Sequence, residues 1–453
     1  MNASFRRNQS AIALALAAVV TAILLFVVIP IWSARLHGEY NQDVYADGYD
    51  QLADNLATDH GYRFYPDTAA TLMREPGYPL VLAGIFLVFG KSFAAVKAVN
   101  LVLALGAAWL MMGLAKKFSI HPLLTIAPPL LFLFHPATLV AESRGGVEIL
   151  FTFLIVLFLR LVYRAIESRG WWAYAAGGAV LGLAVLVRST PMLFPAFLLV
   201  YLIAIEKQKM TAAAGRVAVM IAAMLMVMSP WIVRNYSLTG KFVPTASVLG
   251  TSAHAGEYIC AHRGENRPMW LLDREAAHQR ADLAHGLGLR FRDDFYYQMF
   301  YAPGDELVFS NYLLHRVEDE YKTSPLLCVR CMSANLVYFW IAGKTEGATL
   351  ANAAVQLPYL VLGIAGVVLC VRNAQFKMIA PMLLFIGYVM SVYIPILAQA
   401  RYSVPLLPFV SILAGVALMA AQRRFAERHA VEPMRTSAEA RMLPFVRHQE
   451  ERR

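Results

Sequence analysis

The sequence predicts an all-α, polytopic membrane protein with about ten transmembrane helices, and three observations carry that expectation. Hydrophobic residues make up 58% of the 453-residue chain and charged residues only 15%, with a mean hydropathy of +0.52. Soluble domains carry about 25% charged residues. Apolar runs recur along the whole chain, many near the roughly 20 residues that a membrane span needs. The basic residues flank those runs, as the positive-inside rule requires. The formal charge of +10 therefore reads as membrane topology, and no nucleic-acid partner is expected.

The first run, residues 11–32, follows Phe5, Arg6 and Arg7. It exceeds the roughly 7–15 apolar residues of a secretory signal core, and no small-x-small site follows it. An uncleaved anchor with a cytoplasmic N-terminus is expected. Further spans are expected at residues 95–114, 123–139, 147–163, 172–187, 191–205, 217–233, 353–370, 378–397 and 404–419. Two apolar stretches are expected to lie on the outer face instead. Residues 79–90 are short, and residues 327–341 carry Arg330 and Asn335. With that assignment every dense basic cluster falls inside: Lys116 with Lys117, the group around Arg160, the group around Lys207, Arg372 with Lys377, and Arg423 with Arg424. The chain then divides into a cytoplasmic N-terminus (1–10), a catalytic membrane module (11–233) with an outer loop (33–78), an outer-face region (234–326), a C-terminal membrane module (327–420) and a basic cytoplasmic tail (421–453). No internal repeat of the kind that builds two-fold transporters is visible.

The outer loop after the first span is acidic. Asp43, Asp47, Asp50 and Asp54 fall at steps of four, three and four, so a helix over residues 45–56 would place them along one side. A solvated helix face accounts for three of them. One is expected to be a general base, because a carboxylate beside a membrane can have a raised pKa. Asp47 is the choice, with Asp43 second. Arg74 opens R-E-P-G-Y-P, where two prolines and a glycine fix a turn and then start a helix. A guanidinium at that level can hold a phosphate through two hydrogen bonds, or simply snorkel to the interface. Arg144, Arg188, Arg234 and Arg401 also sit at outer ends of spans, where arginine should be scarce. With Arg74 they would form a cationic cup for an anionic ligand. Glu142 and Glu148 bracket the start of the fourth span. A carboxylate there is costly and is usually paired, so Glu148 is expected to orient an arginine or hold a substrate hydroxyl.

Cys328 and Cys331 have CxxC spacing, but a redox role needs a thioredoxin-like context that this chain lacks. A disulfide from Cys260 to either Cys328 or Cys331 is expected if the outer side is oxidising. His254, His262, His278 and His285 match no metal motif, so no metal site is expected. No phosphate-binding loop or dinucleotide fingerprint is present, and no cofactor is expected.

Several motifs in order carry a resemblance to a known family. They are D-G-Y-D-Q-L-A-D-N-L from Asp47, G-Y-R-F from Gly61 and R-E-P-G-Y-P from Arg74, then P-W-I-V-R-N-Y-S-L-T-G-K-F-V-P from Pro230 and A-R-Y-S-V-P-L-L-P from Ala400. The chain resembles bacterial glycosyltransferase family 39, the protein-mannosyltransferase-like group of the GT-C superfamily, whose relatives include the lipid A aminoarabinose transferase. The resemblance implies a GT-C-like bundle in the bacterial inner membrane, with the active site facing the periplasm. It implies a polyprenyl-phosphate sugar donor, and the acceptor is expected to be a glycan, lipid or protein; attack opposite the leaving group would invert the anomeric carbon. By position it makes Asp47 the catalytic acid with Asp43 as rival, Arg74 a donor-phosphate contact, and Glu148 and Arg188 the matches of the family's acid opening the fourth span and basic residue after the fifth. Arg234 and Arg401, from the cationic cup, are expected to join Arg74 and Arg188 at the phosphate. Glu148, Tyr49 and Tyr402 are expected to contact substrate. A transporter or flippase for an anionic lipid or sugar is the alternative. It predicts polar residues along mid-membrane helices, whereas here they gather at the outer ends.

Overall fold

The computed structural model describes residues 3–31, 46–118, 122–265, 267–294 and 297–427. Asp43, the rival acid, lies outside the described residues, as does the tail from residue 428 onward. The described chain is almost entirely helical, with one two-stranded sheet.

Helix α1 (Ala3–Ile23) continues through a π-helical stretch at Leu24–Val28 to form a span over Ser10–Ile31. It presents Ile12, Leu16, Val19 and Ile23 outward, as lipid contact requires. The first outer loop holds α2 (Tyr49–Ala57) and leads into α3 (Gly77–Phe89). There follow α4 (Phe93–Ala115), α5 (Pro122–Leu133), α6 (Pro136–Ser143), α7 (Glu148–Ser168), α8 (Trp171–Val187), α9 (Phe194–Ala204) and α10 (Met210–Thr239). The outer region contains α11 (Leu249–Ala261), α12 (Met269–Gly286), the antiparallel pair β1 (Phe291–Asp294) and β2 (Tyr297–Phe300), and α13 (Asp305–Thr323). Helices α14 (Pro325–Ile341), α15 (Glu346–Arg372) and α16 (Phe376–Tyr393) follow. A 3-10 turn at Ala400–Leu406 then opens the last span, α17, which reaches Glu427.

Among the described residues seven helices are long and apolar enough to cross a membrane, or nine spans if two bent pairs count as one each. Three of the ten expected spans differ from a simple rod. The run at 123–139 is broken into α5 and α6 with a 52° bend. His135 caps α6 by accepting the amide of Ala137, and Pro136 at the first helical position cannot continue α5. The runs at 172–187 and 191–205 form short helices; the second opens with a 3-10 turn at Thr190–Leu193, whose Pro191 sets the start. Residues 79–90 form the short apolar α3, which stops at Gly90 with φ 68°. Helix α14 meets α13 at a bend of 109°. Its two awkward polar groups are satisfied there. Arg330 donates to the carbonyls of Cys260 and Ala261, and Asn335 donates to that of Ile394.

Small residues let the spans approach closely. A Cβ on Gly178 of α8 would run into the backbone oxygen of Met220 on α10, and one on Gly366 of α15 into that of Leu413 on α17. Helix α17 is the most enclosed span, and its opening turn packs against α6, α7 and α14. That packing holds Tyr402 buried and Arg401 half-buried at the start of the last span.

The two outer segments are locked to each other. Glu306, in the first turn of α13, accepts from the Thr71 hydroxyl at 2.7 Å, the Leu72 amide at 2.7 Å and the Ser247 hydroxyl at 3.5 Å. The amide of Ala69 donates to the carbonyl of Phe300 on β2. Leu52, Tyr62, Phe64, Met73 and Met299 close a small apolar core between them. Cys260 is bonded to Cys331, which decides between the two expected pairings and leaves Cys328 a free thiol.

Candidate active site

Asp47 does not sit on the helix that carries Asp50 and Asp54. It occupies a 3-10 turn, Ala46–Gly48, with φ 72° and ψ 17°, and Gly48 follows with φ 72°. Aspartate is one of the few residues with a side chain that tolerate this left-handed region. Gly48 has no such latitude to spare, because a Cβ there would also lie 2.8 Å from the Phe64 ring. The turn ends where α2 begins, so the expected helix over 45–56 starts at Tyr49 instead. The reversal separates the acids. Asp50 and Asp54 both face the Lys91 ammonium, at 3.5 and 3.6 Å, as a solvated helix face would. Asp47 turns inward.

Three elements far apart in the chain meet Asp47. Arg401, from the turn opening α17, contacts both carboxylate oxygens, at 2.8 Å through Nη1 and 3.4 Å through Nη2. Arg74 places Nη2 3.9 Å from Oδ1, and its Nε donates to the Asp47 backbone carbonyl at 3.3 Å. Tyr297 of β2 donates its hydroxyl to Oδ1 at 3.2 Å. Burial alone would raise the Asp47 carboxyl, but Arg401 and Arg74, helped by Arg188, hold it well below the usual carboxylate range.

Arg74 is buried between two aromatic rings, 5.7 Å from the centroid of Tyr49 and 4.7 Å from that of Tyr297. So buried, it does not snorkel to the interface. Burial disfavours its charge, yet the Asp47 and Glu75 carboxylates nearby favour it, and its pKa is raised above the ordinary arginine value. Arg188 caps the end of α8 and lies 3.9 Å from Glu148 and 4.9 Å from the Tyr402 ring. Tyr402 stacks on Tyr393 at 4.4 Å and also lies beneath Arg401. Glu148 opens α7, where the helix N-terminus favours a carboxylate. The side chain fits because Gly146 has no Cβ to obstruct it. Glu75 accepts the Ser189 amide at 2.9 Å and so ties the R-E-P-G-Y-P turn to the segment carrying Arg188. Nη1 of Arg188 and Nε of Arg401 are buried and make no hydrogen bond among the described residues.

The structure therefore brings together Asp47, Tyr49, Arg74, Glu148, Arg188, Arg401 and Tyr402. It does not bring Arg234 into the group. The Arg234 guanidinium donates to the carbonyls of Thr71 and Tyr62 and packs over Tyr62 and Trp231. It clamps the first outer loop, and its position at a span end gave no hint of that. Arg144 is exposed at the end of α6, and Glu142 is fully buried within that helix. The group draws on the first outer loop, the outer-face hairpin and the turn opening the last span, so it is not confined to residues 11–233.

Two residues escaped the sequence reading. Tyr297 lies 250 positions from Asp47. Asp273, in the first turns of α12, feels Arg280, Arg401, Asp47 and Lys344, and burial raises its carboxyl. Neither sits in a motif or at a span end, so nothing local singled them out. Among the described residues no group of three His, Cys, Asp or Glu side chains converges as metal ligands.

This arrangement can neutralise a phosphate and offer a carboxylate beside it. Residues 64–257 match the family model described as Glycosyltransferase family 87. That is a glycosyltransferase family, although not family 39, which the motifs resemble. The matched stretch includes Arg74, Glu148 and Arg188 but neither Asp47 nor Arg401. No curated protein sequence matches the chain. Among solved structures, the oligosaccharyltransferase of Archaeoglobus fulgidus, tethered to an acceptor peptide containing the NVT sequon, superposes with a TM-score of 0.54 at 12% identity. The alignment covers 95% of this chain and 51% of that one, so the chain spans about half the length of that enzyme. ArnT from Cupriavidus metallidurans bound to undecaprenyl phosphate aligns at 14% identity with a TM-score of 0.40, over 87% of this chain and 78% of that one. Its apo form aligns at 15% identity with a TM-score of 0.37, over 86% and 77%. The fold is the GT-C type of membrane-embedded helical bundle.

Proposed function

We propose that this protein is a membrane glycosyltransferase that moves a sugar from a polyprenyl-phosphate donor to an acceptor hydroxyl on the outer face of the bacterial inner membrane. The observation that carries the reading is the Asp47 carboxylate in a left-handed turn, gripped by Arg401 and Arg74 with Arg188 alongside. The family match over residues 64–257 and the GT-C fold support the reaction class.

A carboxylate so strongly paired is a weak base, and the proposed reaction uses that fact. The donor's phosphate competes with Asp47 for the same guanidiniums. Arg74, Arg188 and Arg401 offer it charge-assisted hydrogen bonds. As they turn to the phosphate, Asp47 loses its strongest partners and its proton affinity rises toward a useful value. The acceptor hydroxyl then attacks the anomeric carbon as its proton passes to Asp47. The bond from that carbon to the phosphate oxygen breaks, and polyprenyl phosphate leaves with the electron pair. Attack opposite the leaving group inverts the centre. The leaving oxygen gains negative charge in the transition state, where fixed arginines are most effective. Glu148 holds Arg188, and Tyr49 and Tyr402 line the ring-rich walls where a sugar would stack.

The test is a transfer assay with the purified protein in lipid nanodiscs, defined polyprenyl-phosphate sugars and envelope glycolipid acceptors. Wild type should release polyprenyl phosphate and form product, and Asp47→Asn should lose roughly 10²-fold or more of the turnover. Asparagine also tolerates the left-handed turn, so the variant should fold. Donor that crosses the bilayer without cleavage would instead favour a flippase.

A further inference from the structure

Once the donor's phosphate occupies the arginines, something else must hold the Asp47 carboxylate in place, or the base would swing out of line. We infer that Tyr297, carried by the outer hairpin, is the positioning residue that keeps Asp47 aimed at the acceptor after Arg74 and Arg401 have turned to the phosphate. The inference rests on the transferase reading above and adds to it a residue from a different part of the chain.

Three observations carry it. First, the hydroxyl of Tyr297 donates to Oδ1 of Asp47 at 3.2 Å, a contact that does not run through the guanidiniums an incoming phosphate would engage. Second, the same ring lies 4.7 Å from the Arg74 guanidinium. One side chain thus touches both the base and a cation of the phosphate site, through different parts. Third, the hairpin that carries Tyr297 is anchored rather than loose. Phe300 accepts the amide of Ala69, Met299 fills the small apolar core with Leu52 and Phe64, and Gln298 donates to the Ala277 carbonyl of α12. Tyr297 therefore moves with the first outer loop, and its distance from Asp47 is set by packing.

The charged and titratable groups facing this pair are Arg74, Arg188, Arg401, Asp273, Arg280, Lys344 and Tyr49. Burial, together with Asp47 and Asp273, lifts the Tyr297 phenol above its ordinary value despite Arg74 and Arg401. The hydroxyl stays protonated and is the donor toward the ionised carboxylate. A donor bonded to a carboxylate favours its ionised form. Removing the hydroxyl should then make Asp47 bind its proton more tightly in the donor complex. The acid limb of the kcat profile should move to higher pH, and kcat should fall.

The experiment compares Tyr297→Phe, Tyr297→Ala and Asp47→Asn in nanodiscs, measuring kcat, donor KM, the pH profile of kcat and the thermal midpoint. Tyr297→Phe keeps the ring over Arg74. It should lower kcat roughly 10-fold, the scale of one hydrogen bond to a charged group, shift the acid limb upward and leave donor KM and the midpoint unchanged. Tyr297→Ala should raise donor KM as well. A Tyr297→Phe enzyme with wild-type kcat and an unmoved acid limb overturns the inference while leaving the transferase reading intact. Loss of thermal stability in Tyr297→Phe with all kinetic constants falling together also overturns it, since Tyr297 would then be only structural. Asp47→Asn with wild-type turnover overturns the base assignment and this inference with it.

Discussion

At the scale of single residues, Asp47 combines an unusual backbone with an unusual charge environment. Its left-handed turn and its ion pairs both exist only in the folded protein. Its carboxyl titrates lower in the folded chain than in the unfolded one, so the unfolded state takes up a proton first as pH falls. The stabilisation is fully present above the unfolded value near 4 and drains away below it, down through the depressed folded value. Asp47→Asn should therefore flatten the fall of thermal midpoint with acidity below about pH 4, relative to wild type. A midpoint that falls equally steeply in both would mean the pairing contributes nothing to stability. Arg74 makes the companion case. Its planar fork lies between Tyr49 and Tyr297, and lysine reproduces the charge but neither the stacking nor the fork. Arg74→Lys should lower kcat more than it raises donor KM, because the phosphate gains charge as the sugar leaves. A rise in KM alone would make Arg74 an anchor for the ground-state headgroup.

At the scale of elements, the outer segments explain both what the sequence revealed and what it hid. The acids of the first loop, the proline turn at Arg74 and the misplaced arginines at 188 and 401 were legible because each breaks a rule of membrane sequences. Arg234 broke the same rule and was misread. Its partners are backbone carbonyls of the first loop, which only the folded chain brings near. Asp47 was placed on the wrong element, since a period-four pattern of acids cannot register a left-handed turn two residues before the helix. The break between α5 and α6 was signalled by Pro136, yet the surrounding apolar run concealed it. Tyr297 and Asp273 had no local signal at all. Glu306 is the sharpest test of how these elements depend on one another. It is buried and satisfies the Thr71 hydroxyl and Leu72 amide of the first loop. Glu306→Ala leaves those donors unpaired, at a cost of about 1–3 kcal/mol for each buried group. Since Thr71 and Leu72 lie just ahead of Arg74, the variant should lose donor affinity along with stability. Donor affinity unchanged at a lowered midpoint would mean the clasp does not transmit to the site.

At the scale of the whole molecule, the site joins an early loop, a middle hairpin and the final span, so its assembly demands that all three face one side of the membrane. The charge distribution predicts that side to be the outside, because the dense basic clusters then lie within. The disulfide between Cys260 and Cys331 argues for the same side on independent grounds, since disulfides persist in oxidising compartments. The bond closes a separation of 71 residues and ties α11 to α14. These two lines can be tested together. In a Cys328→Ser background, single cysteines at Thr58, His278 and Lys207, all exposed positions, would be offered a membrane-impermeant thiol reagent on intact cells. Thr58→Cys and His278→Cys should react from outside, and Lys207→Cys only after permeabilisation. The Cys260–Cys331 pair should resist the reagent until reductant is added, and reduction should lower the thermal midpoint, as loss of a native cross-link generally does. Thr58 and His278 reacting from opposite sides would break the molecule as described here, because Asp47 and Tyr297 could then never meet. Both reacting only from inside would leave the fold standing but turn the site toward the cytoplasm. A donor presented on the outer leaflet would then be out of reach, and the lipid-linked sugar would have to be used where it is made.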